Sequence, residues 1–330
     1  MTTPPISVIM PVLDEEPYLR DAVVRVLEQG YEGEVEVLLA VGPSKDRTRE
    51  IADELAAADP RVRVLDNPTG RTPAGLNIAI GAARHEIVVR VDGHGELSPG
   101  YLATVARLLE STGAANVGGL MDARGATPFQ AAVAAAYNSP FGLGGGGFHL
   151  ADTPAGPANT VYLGAFRRSA LQELGGYDET MHRAQDWELN HRLRQAGHLV
   201  YFSPELRVTY WPRSSWKALA TQFFRTGQWR REVMRRHPET RSLRYLAPPV
   251  AVSGVAAGLL AGVVGLVTGR RWLSAMLLAP AAYLAFLVVA TLTMPAPSLA
   301  ARLRLPLVLA TMHVCWGAGF LRGVSLGERP

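Results

Sequence analysis

Four short apolar runs, each followed by a stretch of helical periodicity, open the chain, and this alternation constrains the fold more than any other feature. ISVIMPV (6–12), Glu34–Val41, Arg61–Leu65 and EIVVRV (86–91) read as strands. The segments from Pro17 to about Gln29, from 48 to 58 and from 72 to 84 read as helices, and another begins near Pro99; the first carries Leu19, Val23, Val26 and Leu27 on one face. Strands joined through helices predict a parallel α/β sheet with crossover connections. Ligands of such open sheets sit beyond the carboxyl ends of the strands. The fourth strand is apolar apart from Arg90 and ends at Asp92-Gly93-His94. A carboxylate and an imidazole so spaced can converge on one divalent cation, Mg²⁺ or Mn²⁺. The same three residues also make an ordinary Asp-Gly turn.

The chain has 330 residues, room for one α/β domain and an appendage. Its net charge of +4 is modest, and no basic patch is interleaved with aromatics in an RNA-binding pattern, so no nucleic-acid partner is expected. The single cysteine, Cys315, lies in an apolar stretch and excludes an intrachain disulfide or a cysteine-based zinc site. MTTPPISVIMPV carries no basic segment ahead of a long apolar one, so the first domain is expected to stay in the cytosol.

Beyond residue 115 the pattern loosens. AAVAAAYNS reads as a helix, and FGLGGGGFH (141–149) as a glycine loop, either a lid over a ligand or a plain connection. TVYLGAFRR (160–168) reads as a strand returning to the core. Leu189, Leu193 and Ala196 recur at helical spacing, with Gly197 as the C-terminal cap and Asp186 in the first turn. An acid there commonly serves only as a cap or dipole partner. HLVYFSP and RVTYW read as two further strands.

Residues 214–244 change character. Trp216, Leu219, Phe223, Phe224 and Trp229 alternate with Lys217, Arg225, Arg230, Arg231, Arg235 and Arg236, the profile of a helix lying in a membrane interface. Uncharged stretches follow at 246–267, 273–294 and 305–321. A span needs roughly 20 apolar residues, so the first two qualify and the third is short. The arginine cluster ahead of the first span predicts a cytoplasmic first domain; three spans put the C-terminus outside, and a hairpin with an interfacial third segment is the alternative. The expected organisation is an α/β domain over 1–213, an interfacial segment over 214–244 and transmembrane helices over 245–330.

In order along the chain stand Pro11-x-x-Asp14-Glu15-Glu16, Ser44-Lys45-Asp46-Arg47-Thr48, Leu76-Asn77-x-x-Ile80, Asp92-x-His94 and Gln185-Asp186-x-Glu188-Leu189. This set resembles the family 2 glycosyltransferases of GT-A fold, a Rossmann-like, mostly parallel sheet. Within them it is similar to the membrane-attached, succinoglycan-type glucosyltransferases of the ExoA subgroup. TVYLGAFRR, GGYDE and PRSSWKALATQFFRTGQWR follow that subgroup's pattern. The motifs cover residues 1–240; the apolar C-terminus matches in kind only.

The resemblance implies an inverting transfer from a nucleotide-diphosphate sugar, with UDP-sugars favoured, to a hydroxyl of a polyprenyl-linked saccharide at the inner or plasma membrane. It implies that Pro11, Asp14 and Glu15 hold base and ribose, and that Asp46 belongs to the donor loop. Asn77 would lie beside the diphosphate, Asp92 and His94 would hold the cation and diphosphate, and Asp186 would be the catalytic base. Gln222, Arg225, Trp229 and Arg230 become candidate contacts to acceptor or phosphate, with lipid headgroups as the alternative for the arginines. Two departures stand out. Ala40-Val41-Gly42 lacks the acid that many relatives place at the end of the second strand, leaving Ser44 or a backbone group to read the base. Gln185 replaces the usual Glu before Asp186, which lowers the Asp186 pKa relative to such relatives. The competing readings are a polyprenyl-phosphate sugar synthase and a non-catalytic nucleotide-sugar-binding scaffold subunit. A Rossmann oxidoreductase lacks its glycine fingerprint here, and a processive synthase its Gln-x-x-Arg-Trp.

Overall fold

The computed structural model describes residues 3–143 and 147–324. They form two compact units, Met1–Asp122 with Leu150–Tyr210, and Ala123–His149 with Trp211–Pro330.

The first half of the sheet-bearing unit follows the expected alternation: β1 (Ile6–Val12), α1 (Leu19–Leu27), β2 (Val35–Val41), α2 (Thr48–Ala58), β3 (Val62–Asp66), α3 (Thr72–Ala82) and β4 (Ile87–Arg90). Then come β5 (Glu96–Leu97), α4 (Tyr101–Thr112) and β6 (Asn116–Ala123). After α5 (Pro128–Tyr137) and α6 (Pro140–Leu143) of the other unit, the sheet resumes with β7 (Gly156–Pro157), β8 (Tyr162–Arg167), α7 (Arg168–Glu173), α8 (Gln185–Gln195) and β9 (Val200–Tyr210).

The strand order is β3-β2-β1-β4-β8-β6-β9-β5, with β7 on β9. The first four strands are parallel, as their alternation with helices requires. β8 runs antiparallel to β4 and β6, so the sheet is mixed. Ile6, Val8, Met10, Val37, Leu39 and Val89 line the core, against Leu19, Val23, Leu102 and Val105 of the helices. β2 and β3 lie on one side of β1 and β4 lies on the other. The carboxyl ends of β1 and β4 therefore flank the topological switch point, where open sheets bind ligands.

Two expectations change. HLVYFSP and RVTYW are one strand, β9, which runs through Pro204. Tyr201 and Phe202 pair with β7 and Val208 and Thr209 with β5, so Pro204, which lacks an amide hydrogen, sits between these two paired stretches. The start and end of the expected glycine loop are helical, at α6 and at a 3₁₀ turn over Gly147–His149. Gly144 to Gly146 lie outside the described residues.

The helical unit continues with α9 (Trp216–Arg236), α10 (Leu243–Thr268), α11 (Arg271–Ser274), α12 (Leu278–Thr293), α13 (Leu299–Arg302) and α14 (Leu305–Arg322). Three helical stretches, Leu243–Thr268, Arg271–Thr293 and Leu299–Arg322, are long and apolar enough to cross a membrane. The third reaches that length because the helix starts at Leu299, ahead of the apolar run seen in the sequence. α9 packs along α14. The crossing is very close: a Cβ on Gly227 would lie 2.0 Å from the Trp316 carbonyl oxygen, and one on Gly319 would lie 1.9 Å from that of Phe224. Small residues facing each other in this way let two backbones touch, a common means of joining helices in lipid.

Gly319→Val is therefore expected to lower the thermal midpoint in detergent, at a cost of roughly 1–3 kcal/mol for overpacking. Gly254→Val, whose added Cβ would meet nothing within 4 Å, serves as the control and should leave the midpoint in place.

Candidate active site

The loops after β1 and β2 are joined by reciprocal hydrogen bonds. The Asp14 amide donates to Ser44 Oγ at 3.2 Å, and the Lys45 amide donates to Asp14 Oδ1 at 2.7 Å. Asp46 Oδ2 accepts from the Glu16 amide at 3.0 Å, while Oδ1 accepts from the Thr48 amide at 3.0 Å and the Thr48 hydroxyl at 2.5 Å. The Glu15 amide donates to Thr48 Oγ1 at 2.7 Å. Asp46 is thus engaged in joining the loops. Partial burial works to raise its pKa, but the hydrogen bonds from Thr48 and from backbone amides outweigh it and hold the carboxyl below its usual range. Asp14 takes a left-handed backbone, φ 55°, which strains a residue bearing a Cβ. Pro11 lies on β1 opposite Ala40 of β2. Just past β2, a Cβ on Gly42 would lie 3.0 Å from Gly70 Cα and from Leu13 Cδ1, and the nearby Ser44 hydroxyl accepts from the Asp14 amide and donates to the Gly42 carbonyl.

At the carboxyl end of β4, Arg90 and Asp92 are two residues apart on an extended segment and share a face. Arg90 is 4 % exposed. Its Nε and one terminal nitrogen donate to Asp92 Oδ1 at 3.2 and 3.1 Å. Its other terminal nitrogen donates to Asp186 Oδ1. The sequence marked Arg90 only as an interruption, and its long-range partner, 96 residues away, has no local signal. Burial alone would favour the neutral guanidine, but Asp186 and Asp92 overcome it and hold Arg90 charged.

The Asp186 side chain is 38 % exposed, so water reaches the carboxylate although protein surrounds it. Desolvation raises its pKa above the ordinary value, the Arg90 charge opposes the rise, and Asp92 adds to it. Desolvation and Asp92 together therefore outweigh Arg90, and the start of α8 does not hold this carboxyl below its usual range. Ala184, just before α8, has φ 62°, and Leu163 beside Tyr162 has φ 39°. With Asp14 these are the positive-φ residues other than glycine among those described; Asp14 is itself a candidate site residue and Ala184 stands two residues before Asp186.

Glu15 and His94 bring β1 and β4 together: Nδ1 of the imidazole lies 2.8 Å from Glu15 Oε1. A Cβ on Gly93 would lie 2.9 Å from Glu15 Cγ, so the glycine makes room for this approach. A carboxylate that engages Nδ1 orients Nε2 for a ligand, as in many metal-binding histidines. One carboxylate and one so oriented imidazole suit Mn²⁺ or Mg²⁺, with the nitrogen favouring Mn²⁺. The donor types present are therefore ones that a divalent cation takes.

Asn77 makes a two-sided clasp. Its Oδ1 accepts from the Tyr177 amide at 2.8 Å, and its Nδ2 donates to the Tyr177 carbonyl at 2.9 Å and to Glu179 Oε1 at 3.0 Å. It therefore positions the GGYDE loop ahead of α8. Arg192 completes the anchorage, bridging Glu188 at 2.6 and 2.8 Å to the carbonyls of Leu174 and Gly176 at 2.9 and 2.8 Å. Asn190 joins α8 to the sheet, accepting from Asn116 at 2.6 Å and donating to Thr160 at 3.0 Å. Sequence reading missed both anchors.

Gln222, Arg225, Trp229 and Arg230 belong to α9 in the helical unit. Trp229 is buried, and the Arg230 guanidinium lies 4.2 Å from the Tyr245 ring centre. Arg225 is exposed and, with Arg322, Gln228 and Phe224, lines an open cavity of about 410 Å³.

Residues 7–175 match the sequence model of Glycosyl transferase family 2. The chain is 31 % identical over 321 residues to the succinoglycan biosynthesis protein ExoA of Rhizobium meliloti (strain 1021), covering 96 % of this chain and 93 % of the relative. It is 25 % identical over 226 residues to the dolichyl N-acetyl-alpha-D-glucosaminyl phosphate 3-beta-D-2,3-diacetamido-2,3-dideoxy-beta-D-glucuronosyltransferase of Methanococcus voltae, covering 66 % and 70 %. Among solved structures, the mannosyltransferase PcManGT from Pyrobaculum calidifontis, in complex with GDP-Man and Mn²⁺, superposes with a TM-score of 0.62 at 18 % identity. That match covers 98 % of this chain and 87 % of the other, and it shows a shared fold.

The depressed Asp46 carboxyl gives a pH signature. A carboxyl whose pKa is lower in the folded state adds stability that is complete above its unfolded value, about 3.9, and is lost as pH falls through the folded value. Asp46→Asn should therefore lower stability at neutral pH, and its deficit should shrink in acid. Thermal melts from pH 7 down to pH 3 check this.

Proposed function

Because the chain is a family 2 glycosyltransferase of the ExoA type, we propose that it moves a sugar, with inversion, from a nucleotide-diphosphate sugar to a hydroxyl of a polyprenyl-linked saccharide. The observation that carries this reading is the buried Arg90 guanidinium, which bridges Asp92 beyond β4 and Asp186 in α8. In this assignment Asp186 is the base. The acceptor oxygen attacks the anomeric carbon as the bond to the diphosphate breaks, and Asp186 takes the hydroxyl proton. A single displacement of this kind inverts the anomeric centre. Asp14, Glu15 and Pro11 form the donor floor beyond β1, with Asp46 and Asn77 fixing the loops around it. Asp92 and the Nε2 of His94 would hold a divalent cation, which supplies Lewis-acid neutralisation of the leaving diphosphate.

The Methanococcus relative supports a lipid-linked saccharide as acceptor, since its name describes transfer to a dolichyl-phosphate-linked sugar. ExoA supports a role in exopolysaccharide assembly. The three long apolar helices support a multi-pass arrangement in the membrane, and the arginines of residues 225–244 favour a cytoplasmic transferase site. Arg225 and Arg322 beside their cavity suit an acceptor phosphate. The missing acid after β2 leaves the base open between UDP and GDP, with UDP-sugars favoured.

The decisive assay follows nucleoside diphosphate release by detergent-purified protein. It uses a panel of UDP- and GDP-sugars, Mn²⁺, Mg²⁺ or EDTA, and polyprenyl-linked acceptors. One donor should turn over in a metal-dependent way. Asp186→Asn should reduce turnover by roughly 10²–10⁴-fold, the range for a general base, while donor binding persists. A donor that binds without turnover under all conditions would favour the scaffold reading. Because the Asp186 pKa is raised, the acid limb of kcat should fall above the ordinary aspartate range. Turnover that stays flat down to pH 4 would remove Asp186 as the base.

A further inference from the structure

A positive charge in the middle of a sheet is costly unless it is paired. β4 lies between β1 and β8, and Arg90 is its last residue. Its partners come from different elements: Asp92 follows on the same strand, and Asp186 stands in the first turn of α8. Three of its nitrogens donate to these two carboxylates, and each bond falls on an Oδ1 atom.

We propose that Arg90 is the positioning residue of the transfer: one guanidinium holds Asp186 and Asp92 by their Oδ1 atoms and turns the Oδ2 atoms toward the acceptor hydroxyl and the cation. The inference rests on the proposed function. It adds that the spacing and aim of the two carboxylates are set by a residue that touches neither donor nor acceptor. It also assigns Arg90 an opposing effect on the cation. The guanidinium competes for Asp92 and repels a second positive charge nearby, so the protein gives up cation affinity to keep the base in place.

A purely structural Arg90 behaves differently. Its loss would loosen the fold, the cation site and turnover together. A positioning Arg90 separates them, because removing its charge improves Asp92 as a ligand while freeing Asp186 to turn. Lys retains the charge but not the planar fork that reaches two carboxylates at once.

The test uses the full-length protein in detergent, with Arg90→Met, Arg90→Lys, Asp186→Asn and the Arg90→Lys/Asp186→Asn double variant. Mn²⁺ affinity is read by electron paramagnetic resonance without donor, folding by circular dichroism, and kcat and KM with the donor found above. Arg90→Met should bind Mn²⁺ roughly tenfold tighter, the scale of one nearby unit charge at a partly exposed site. Arg90→Lys should keep Mn²⁺ affinity within about twofold and donor KM near wild type. Its kcat should fall roughly 10²-fold, the effect of a base misplaced by about an ångström. The double variant should be no slower than Asp186→Asn alone, since Arg90 acts on kcat through Asp186.

Unchanged or weaker Mn²⁺ binding by Arg90→Met overturns the proposal, as does wild-type kcat in Arg90→Lys or an additive double variant. If Arg90→Met does not fold, Arg90→Lys and the double variant decide; if neither single variant folds, Arg90 is a framework residue and the proposal falls. A wild type that binds no Mn²⁺ refutes the cation assignment instead, and the turnover cycle still judges Arg90. A wild type with neither Mn²⁺ binding nor turnover refutes the proposed function, and this inference falls with it.

Discussion

A guanidinium sealed into a central strand constrains its surroundings more tightly than any apolar contact could. Apolar side chains tolerate a shift of a few tenths of an ångström, whereas a buried charge that loses a partner costs roughly 3–5 kcal/mol. Arg90 therefore fixes where Asp92 and Asp186 stand, and α8 follows Asp186. Arg192 and Asn190 make the same helix fast at its other contacts, to the Leu174–Gly176 turn and to Asn116 and Thr160. The Tyr177 loop before it is clasped by Asn77 from α3. The result is a helix N-terminus located by polar contacts to three separate parts of the sheet-bearing unit, which is how a site on loops becomes rigid enough for chemistry.

The strained positions follow the same logic. Asp14, Leu163 and Ala184 hold positive φ angles that a Cβ disfavours. Such conformations persist only where the surroundings over-determine them. For Asp14 the determinants are visible: its amide and carboxylate are both bonded into the loop after β2. That loop is held in turn by Asp46, which bonds the Glu16 amide. The two loops brace each other, and Glu15 is left facing His94.

Much of this was legible in the sequence, and what was not had a physical reason. β1 to β4 and the helices among them were readable because each buries a periodic face, and periodicity is local. Asp92 and Asp186 could be singled out as candidates because their motifs sit at predictable ends of predictable elements. The bonding of Asn77 and Asp46 was harder to read: the resemblance places both near the donor, and the structure adds that their side chains bond backbone amides 100 and 30 residues away. Arg90 looked like an imperfection in an apolar run because one of its two carboxylate partners, Asp186, lies 96 residues away. β9 was divided in two because Pro204 is a breaker in isolation, yet the strand changes partners around it and needs no bond from that amide.

The state of Asp186 shows how these constraints meet in one group. A carboxylate at a helix N-terminus beside an arginine should be a weak base, since both favour ionisation. A base that never holds a proton does little for an attacking hydroxyl. Desolvation and the neighbouring Asp92 act against those two and prevail, so the carboxyl sits above its ordinary range. Arg90 is needed in this balance from both sides. Without it two carboxylates crowd one cleft and repel, and with it alone the base would be too firmly ionised. Desolvation supplies most of the counterweight and Asp92 adds to it, which makes the proposed cation site and the proposed base parts of a single electrostatic arrangement.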